Sequence, residues 1–516
     1  MAAVDAVHAR RPVTVTSAPA SAATAAATAT AAGATEHVDV LVVGAGFAGL
    51  GLGIRLARET THTFVIVERA DSVGGTWRDN TYPGVACDIP SHLYSFSFRQ
   101  KPDWSSVYAP GAEIRAYLGE CAREEGLLPH LRLATELLHA RWSDDDGRWH
   151  VSTTGGDFTA RALVTAAGRL SEPRFPAIDG LDTFPGPRFH TSRWNHDVDL
   201  TGKRVGITGT GASAVQVLPG VADVAAEVVV FQRSAPYVVP RHDRDYSEAE
   251  KTAFAGDPQL LDDSRSEIFR RAEETFPSRL GREPQLGAQR ALWRNHLEAQ
   301  IADPALREAL TPDYEIGCKR VLVSNDYYPA LGRPNVYLEN AALTSFDGRT
   351  ATASNGRSHD LDVLVFATGF HSTRQPYADR IAGRGGELLS AHWANGMTAY
   401  ASTVVHGYPN LFIIDGPNAS LGHNSAIHMI ETQLAYVLGA LEHLSGHPDA
   451  ALDVRADAEA AYTDAIDAAA AETVWLTGGC RSWYVDDRSR RLTLLWPGYA
   501  LTFREANGRF DAAPFG

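Results

Sequence analysis

The sequence lacks both a basic surface and long apolar runs, and each shortage excludes a class of protein. Its 516 residues include 47 Lys and Arg against 62 Asp and Glu, a formal net charge of -15, which does not suit a protein that neutralises nucleic-acid phosphates. No apolar stretch approaches the ~20 residues that a membrane-spanning helix needs. We therefore expect neither a nucleic-acid partner nor an integral membrane segment.

Cysteine is scarce, and no two cysteines form a CxxC pair. The chain contains only Cys87, Cys121, Cys318 and Cys480. Because these residues are far apart in sequence, their spacing predicts neither a disulfide framework nor a zinc site, and we expect no metal. A reducing cytoplasm fits this cysteine usage best.

Large apolar side chains are almost missing from residues 1–36, which are dominated by Ala and Thr. Such a segment cannot offset the entropy cost of ordering, so the composition predicts a disordered N-terminal tail. Arg10 and Arg11 precede no apolar segment of the kind an export signal needs, so we expect no export.

A dinucleotide-binding motif opens the predicted fold. The apolar run at 38–43 predicts a strand, and it leads through Gly44, Gly46 and Gly49 into a helix-periodic segment. These glycines permit a tight turn, close approach of a pyrophosphate and close packing of helix on strand. The next predicted strand, FVIVE, ends in Glu68, a carboxylate suited to a ribose diol. We therefore expect FAD at this site.

A second motif of the same kind follows a predicted strand at 204–208, where Gly209, Gly211 and Ala214 form GxGxxA. Its next strand, EVVVFQR, ends in Gln232 and Arg233 instead of an acid. A guanidinium attracts the 2′-phosphate that a carboxylate repels, so this site is expected to bind NADPH. The alternative for Arg233 is a solvated surface residue.

Two such motifs predict an α/β protein with two Rossmann-like dinucleotide-binding domains, one for FAD and one for NADP. We assign 37–170 to the first part of the FAD domain and 171–350 to the NADP domain, with a helical insertion at about 241–315. Residues 351–516 are assigned to the second part of the FAD domain and to C-terminal loops beside the substrate. The strands in ALVTAAG and LDVLVFATGF are interpreted as the two crossings between domains.

Further motifs identify a family. The segment GGTWRDNTYPGVACD, the segment FPGPRFHTSRWN and the later GCKRVLVSNDYYPAL and WLTGGCRSWY occur in this chain order. Together they resemble Baeyer–Villiger monooxygenases, flavoproteins related to the flavin-containing monooxygenases, over residues 37–500. The second segment departs from the family pattern at Asn195, where Pro or Asp is usual.

The resemblance implies roles for individual residues. Arg320 matches the arginine that stabilises negative charge during oxygen transfer, and Asp88 matches the aspartate that orients it. Lys319 matches the lysine that contacts the NADP ribose phosphate, whereas His190 and Trp194 are implied to be conformational. Without the resemblance, we would interpret Arg320 and Lys319 as surface cations and Asp88 as a turn residue.

The remaining cofactor contacts are expected in the glycine turns, the first resembling segment and the strand ends. The full predicted cofactor-binding set is Gly44, Gly46, Gly49, Glu68, Gly75, Thr76, Trp77, Tyr82, Asp88, Tyr94, Thr208, Gly209, Gly211, Ala212, Ser213, Arg233, Lys319, Thr368 and Gly369. Two aromatics of the late loop, Trp475 and Tyr484, are interpreted as structural residues near the substrate.

The resemblance implies an enzyme that uses FAD, NADPH and O2 to convert a ketone to an ester or lactone through a C4a-peroxyflavin. An N- or S-oxygenating flavin monooxygenase, which acts on an amine or sulfide and does not need Arg320, is the alternative. A disulfide reductase is disfavoured because the sequence contains no CxxC. A non-catalytic nucleotide sensor is disfavoured by the presence of two complete cofactor motifs.

Overall fold

The computed structural model describes residues 35–516. The predicted tail therefore lies outside the described residues except for its last two positions, and Glu36 already belongs to the first strand. The strands in chain order are β1 (Glu36–Val43), β2 (Phe64–Val67), β3 (Leu131–Arg132), β4 (Leu137–Ser143), β5 (Arg148–Thr153), β6 (Gly156–Thr165), β7 (Arg188–His190), β8 (Arg204–Thr208), β9 (Glu227–Phe231), β10 (Val238–Val239), β11 (Leu322–Val323), β12 (Val336–Glu339), β13 (Leu343–Asp347), β14 (Thr350–Ala353), β15 (Ser358–Asp360), β16 (Val363–Phe366), β17 (Ile381–Ala382) and β18 (Leu411–Ile413).

The helices alternate with these strands or are grouped in the insertion and the C-terminal third. They are α1 (Phe47–Glu59), α2 (Thr76–Asp79), α3 (Gly111–Glu124), α4 (Ala212–Ala222), α5 (Glu248–Gly256), α6 (Pro258–Glu273), α7 (Gln285–Gln300), α8 (Pro304–Ala309), α9 (Tyr327–Leu331), α10 (Leu389–His392), α11 (Ala426–Gly446), α12 (Ala456–Ala470), α13 (Val474–Thr477) and α14 (Ala500–Asn507). Within residues 35–516, no helix has the length and apolar character needed to cross a membrane.

The first sheet has the order β17-β4-β5-β6-β1-β2-β3, with β18 also paired to β6. At its centre β1 runs parallel to both β2 and β6. Four β-branched or leucine side chains at positions 40–43 account for this buried strand, and α1 begins directly after the glycine turn that ends it. Helix α1 packs against α11 and α3, which covers one face of the sheet.

The second sheet has the order β12-β9-β8-β16-β7, and all of its pairings are parallel. Its central strand β8 again leads through a glycine turn into a helix, α4. Helices α5 to α8 lie between β10 and β11, so the predicted helical insertion at about 241–315 is present as helices. Two sheets, each with a parallel strand–turn–helix unit at its centre, confirm the predicted fold class.

The strand of LDVLVFATGF lies in a different sheet from the one predicted. The sequence analysis assigned it to the returning FAD domain, but β16 pairs with β8 and β7 of the second sheet. Strand β16 lies beside β8 in the second sheet, just as β6 lies beside β1 in the first. Both strands contain an apolar, buried run where they pair, so their sequences look alike. The chain returns to the first sheet at β17.

The expectation of no disulfide is also wrong. Cys318 and Cys480, 162 positions apart, form a disulfide that joins the segment before β11 to the loop after α13. Cys87 and Cys121 are free and buried. Sequence spacing could not reveal the pair, because two single cysteines carry no local signature and only the fold brings them together.

Candidate active site

The first glycine turn is too tight for a side chain at Gly44. Gly44 has φ of +107°, and a Cβ there would lie 2.5 Å from the carbonyl oxygen of Ala166. Helix α1 begins after Gly46, without a side-chain cap and without an acid in its first turn. Its free N–H groups are therefore available to an anionic pyrophosphate, and the turn fits a dinucleotide.

The second turn repeats this geometry in the other sheet. Gly209 has φ of +112°, and a Cβ there would clash with the carbonyl oxygen of Ala367, the residue after β16. Helix α4 begins after Gly211, again with no side-chain cap and no acid in the first turn. Thr208 ends β8, and Ala212 and Ser213 open α4, so the predicted residues surround one uncapped helix start.

Glu68 is fixed against the first turn. Its Oε2 accepts a hydrogen bond from the Ala45 backbone N–H at 2.9 Å, and its Oε1 accepts one from the Ala70 N–H at 3.0 Å. The Arg78 guanidinium lies 3.0 Å from Oε1. The carboxylate is therefore held at the turn, in the place from which the predicted ribose contact would be made.

Two cations meet beside the second turn. Lys319 Nζ donates to Ser234 Oγ at 2.7 Å and lies 4.4 Å from the centre of the Tyr314 ring. Burial and then the charge of Arg233 lower the pKa of Lys319, whereas Asp313 raises it. Arg233 itself is exposed. Two cations of this kind suit a phosphate group, and their contact with NADPH stays a prediction. The hydrogen bond from Lys319 to Ser234 was not foreseen from the sequence.

The segment from Tyr82 to Asp88 joins the two sheets. Tyr82 Oη donates to Gln216 Oε1 of α4 at 2.8 Å, and Gln216 Nε2 donates to the Ala86 carbonyl at 2.9 Å. A Cβ on Gly84 would lie 2.6 Å from the backbone oxygen of Gln216, so only glycine permits this approach. Tyr82 therefore contacts the helix of the second turn, and Gln216 was not foreseen from the sequence.

An aromatic group lies at the end of the first sheet and consists of Trp77, Tyr94 and Phe47. Trp77 Nε1 donates to Tyr94 Oη at 3.3 Å, and the Phe47 and Tyr94 rings pack edge to face with centres 5.2 Å apart. Gly75 has φ of +52° and faces Gly46 across the first turn. Thr76 begins α2 and is exposed. The predicted aromatic residues thus lie together, whereas Thr76 makes no such contact.

Arg320 and Asp88 form an ion pair at the end of that segment. Arg320 Nε donates to Asp88 Oδ2 at 2.7 Å, Arg320 Nη2 lies 2.6 Å from the same oxygen, and each side chain is 28% exposed. Asp88 raises the pKa of Arg320 against the opposing effect of burial, so the guanidinium remains charged. The pair is therefore partly buried and retains some contact with solvent.

His190 and the two chain crossings lie together. The Arg174 N–H donates to the Gly369 carbonyl at 2.8 Å, and Thr368 Oγ1 donates to the Arg174 carbonyl at 2.5 Å, so the crossings run side by side. The buried His190 ring packs edge to face on Phe370 of one crossing. Burial lowers the pKa of His190 to about 4, so its imidazole is neutral near pH 7.

Trp194 lies near this linker and packs edge to face on Phe189 of β7, with ring centres 5.0 Å apart. It is half-buried, and its neighbours identify it as a packing residue of the linker. His190 and Trp194 therefore bracket the turn after β7, close to the crossings. Their conformational role stays a prediction.

Known proteins share both the sequence and the fold. The family model described as pyridine nucleotide-disulphide oxidoreductase matches residues 41–250, which include both glycine turns. A Baeyer–Villiger monooxygenase of Streptomyces coelicolor is 44% identical over 90% of this chain and 89% of its own length. One from Pseudomonas aeruginosa is 39% identical over 90% of this chain and 88% of its own.

Solved structures agree with these relatives. A steroid monooxygenase bound to NADP superposes with a TM-score of 0.80 at 32% identity, covering 91% of this chain and 96% of that one. Cyclohexanone monooxygenase from Rhodococcus sp. Phi1, bound to NADP+, gives 0.81 at 29% identity, covering 92% and 97%. The fold and the two turns define an oxidoreductase with two dinucleotide-binding units. Within that class, the chain belongs to the Baeyer–Villiger monooxygenase family.

Proposed function

We propose that this enzyme converts a small-molecule ketone to an ester or lactone, with FAD as its flavin, NADPH as reductant and O2 as oxidant. One oxygen atom enters the product and the other leaves as water, while NADPH supplies the two electrons. The observation that carries the proposal is the Arg320–Asp88 pair, held at the end of the segment that contacts both dinucleotide units.

The residues present fit both cofactors. The turn at Gly44 and the fixed Glu68 would hold FAD, and the turn at Gly209 with Arg233 and Lys319 would hold the 2′-phosphate of NADPH. When bound, the flavin would accept a hydride from NADPH and activate dioxygen. The Tyr82 contact to α4 keeps the two nucleotide sites in one arrangement, which hydride transfer between them requires.

Arg320 supplies the electrostatic part of the reaction. A ketone oxygen gains negative charge when its carbonyl carbon is attacked, and a guanidinium that stays charged stabilises that oxygen. Asp88 fixes the direction of the guanidinium through two nitrogens. The residual exposure of the pair, 28% for each side chain, leaves it accessible to a small molecule.

Oxygenation of an amine or sulfide is the competing function. There the oxygen atom is transferred as an electrophile, and no negative charge develops that a fixed cation would stabilise. An arginine held by a carboxylate and still partly exposed favours the ketone reaction. Activity on sulfides alone would therefore contradict the proposal.

The test uses purified protein loaded with FAD. NADPH, 18O2 and a panel of linear, cyclic and aryl ketones are supplied, and esters are detected by mass spectrometry. We expect an ester or lactone that carries one 18O atom, formed only when NADPH is present. Oxygen-dependent NADPH oxidation that yields hydrogen peroxide but no ester from any ketone would contradict the proposal.

We also assign the enzyme to the cytoplasm, where NADPH-dependent oxidation has its reductant at hand. The disulfide is uncommon for that compartment, so it makes the assignment worth testing. Fractionation of producing cells, with the protein followed by its flavin absorbance and ester-forming activity, should recover both in the cytoplasmic fraction. Recovery outside the cell would contradict the assignment.

A further inference from the structure

Four neighbouring strands of the first sheet end level with one another. Strand β6 lies between β18 and β1, and β1 pairs on its other side with β2. Thr165 lies opposite Ile413 on one side and Val43 on the other, and Val43 in turn lies opposite the last residue of β2. All four strands are parallel, so their carboxyl ends form one edge. The glycine turn for FAD begins at that edge, directly after β1.

Two charged residues lie at opposite ends of this row of strand ends. Asp415 comes two positions after β18, and Arg69 comes two positions after β2. Asp415 has φ of +59°, which is uncommon for a residue with a side chain, and its N–H donates to Gln433 Oε1 at 2.9 Å. Gln433 is buried on α11 and also donates to the Ile413 carbonyl at 3.0 Å. The fold therefore holds the Asp415 carboxylate in one place.

The linker that leaves the first sheet is bound to both of these residues. Arg169 Nη1 donates to Asp415 Oδ1, and Arg69 Nη1 donates to Glu172 Oε1. Arg69 Nη2 also donates to the Ser171 carbonyl at 3.3 Å. Three strand spacings amount to about 14 Å, which a short extended segment and two arginine side chains can cover. Residues 169–172, which we call the strap, therefore cross the row from the β18 side to the β2 side.

The two ion pairs that hold the strap differ in exposure. The side chains of Arg169 and Asp415 are 12% and 14% exposed, whereas those of Arg69 and Glu172 are 36% and 31% exposed. Loss of one partner from a largely buried pair leaves an uncompensated charge, so the Arg169–Asp415 pair should hold the strap more strongly. The outer pair is closer to water and contributes less.

A glycine directly precedes the strap and can serve as its hinge. Gly168 has φ of +69°, and a Cβ there would meet no atom within 4 Å, so the backbone conformation and not space requires glycine. The other end of the strap is joined to the second crossing, where the His371 N–H donates to the Glu172 carbonyl at 2.9 Å. Movement of the strap away from the strand ends therefore requires both ion pairs to break.

We propose that residues 169–172 gate the FAD site: the Arg169–Asp415 and Arg69–Glu172 pairs close the strap, and FAD enters and leaves only when both pairs open. A dinucleotide on the turn at Gly44 lies beyond the carboxyl ends of the strands, where the strap crosses. This inference concerns exchange of the cofactor and therefore goes beyond the proposed oxidation of a ketone.

The test measures FAD exchange in variants that break one pair each. Release from the holoenzyme into buffer without FAD is followed by ultrafiltration and flavin absorbance, and binding is followed after apoprotein and FAD are mixed. Arg169→Gln should speed release at least about tenfold, and Glu172→Gln about two- to fivefold. Both variants should also speed binding, because a loosened strap opens more often. Glu136→Gln, which breaks an exposed pair with Arg380, is the matched control and should exchange FAD like wild type.

Reversal of the outer pair separates the gate from the loss of a single charge. Arg69→Glu combined with Glu172→Arg restores an ion pair, so the double variant should release FAD more slowly than either single variant. Release as fast as in the single variants would overturn the inference. Wild-type exchange in both Arg169→Gln and Glu172→Gln would also overturn it, as would faster release without faster binding, which indicates lost affinity and no gate.

Two further outcomes are separable from these. Should Arg169→Gln fail to fold, Glu172→Gln and the reversed pair decide the inference by the same criteria. Absence of ester in the wild-type enzyme would overturn the proposed function and not this inference, because FAD exchange needs no ketone.

Discussion

Arg320 and Asp88 are 232 positions apart, yet Asp88 Oδ2 accepts a hydrogen bond from Arg320 Nε at 2.7 Å and lies 2.6 Å from Nη2. Asp88 ends the segment whose Tyr82 contacts the second nucleotide helix, and Arg320 follows the Lys319 that contacts Ser234. The charge proposed to act on the substrate is therefore tied to both cofactor sites. Its placement depends on contacts that hold the two sheets together.

Asp88→Asn should lower ester formation about 10- to 100-fold while NADPH oxidation changes little, because the amide loses the charge that holds the guanidinium. The measurement is ester formed per NADPH consumed, with hydrogen peroxide quantified in parallel. Asp223→Asn, which changes an exposed carboxylate paired with Arg333, serves as the matched control and should behave as wild type. Equal losses of both rates in Asp88→Asn would contradict the orienting role.

Arg233→Ala and Lys319→Ala should each raise the KM for NADPH about 10- to 100-fold, because each removes one charge-assisted contact to the 2′-phosphate. The KM for NADH should stay the same, since that cofactor has no such phosphate. Steady-state kinetics with both cofactors provide the measurement. Arg271→Ala, at an exposed arginine of α6, is the control. An equal rise in the KM for NADPH and the KM for NADH would show that these residues do not bind the 2′-phosphate.

Titration of thiols tests the covalent link between Cys318 and Cys480. In denaturant without reductant the protein should show two reactive thiols, from Cys87 and Cys121, and four after reduction. Cys480→Ser should lower the free energy of unfolding by about 4 kcal/mol, because the bond closes a long loop. Cys121→Ser leaves the link intact and is the control. Four thiols without reductant would exclude the disulfide.

Acid should destabilise the fold through His190. Because burial lowers its folded pKa to about 4, only the unfolded chain takes up this proton as pH falls below about 6.5. The free energy of unfolding should therefore drop between about pH 6.5 and 4, by up to about 3 kcal/mol for this residue. His190→Gln should show a correspondingly smaller drop in the free energy of unfolding. His150→Gln, which changes a histidine near the surface, serves as the control and should show the same drop as wild type. Parallel curves for His190→Gln and wild type would contradict the assignment.

Local patterns predicted both glycine turns, because Gly44 and Gly209 need positive φ and lie against a neighbouring carbonyl in a way that sequence motifs record. The Arg320–Asp88 pairing followed from a family resemblance, since a lone Asp in a turn carries no signal of its own. The membership of β16 in the second sheet could not be obtained in this way. Strands β6 and β16 occupy equivalent positions in the two sheets, so their sequences do not indicate which sheet each strand joins.

Contacts between distant segments were also beyond the sequence. The Cys318–Cys480 bond, the position of Ser234 under Lys319 and the contact of Gln216 with Tyr82 each join residues more than 80 positions apart. Tyr484 was interpreted as a structural aromatic, and it is buried in a cluster with Phe276 and Trp475, but its sequence neighbourhood does not indicate that Phe276 is one of its partners. Such groups depend on the packing of loops, for which residue periodicity carries no information.

The most direct test of the central claim measures Arg320→Ala on a ketone and on a sulfide with the same FAD-loaded preparation. The account predicts that ester formation falls by at least about 100-fold, the loss typical when a preorganised charge is removed. Sulfoxide formation and NADPH oxidation should remain within a few-fold of wild type. Ketone turnover that survives the substitution intact would contradict the account.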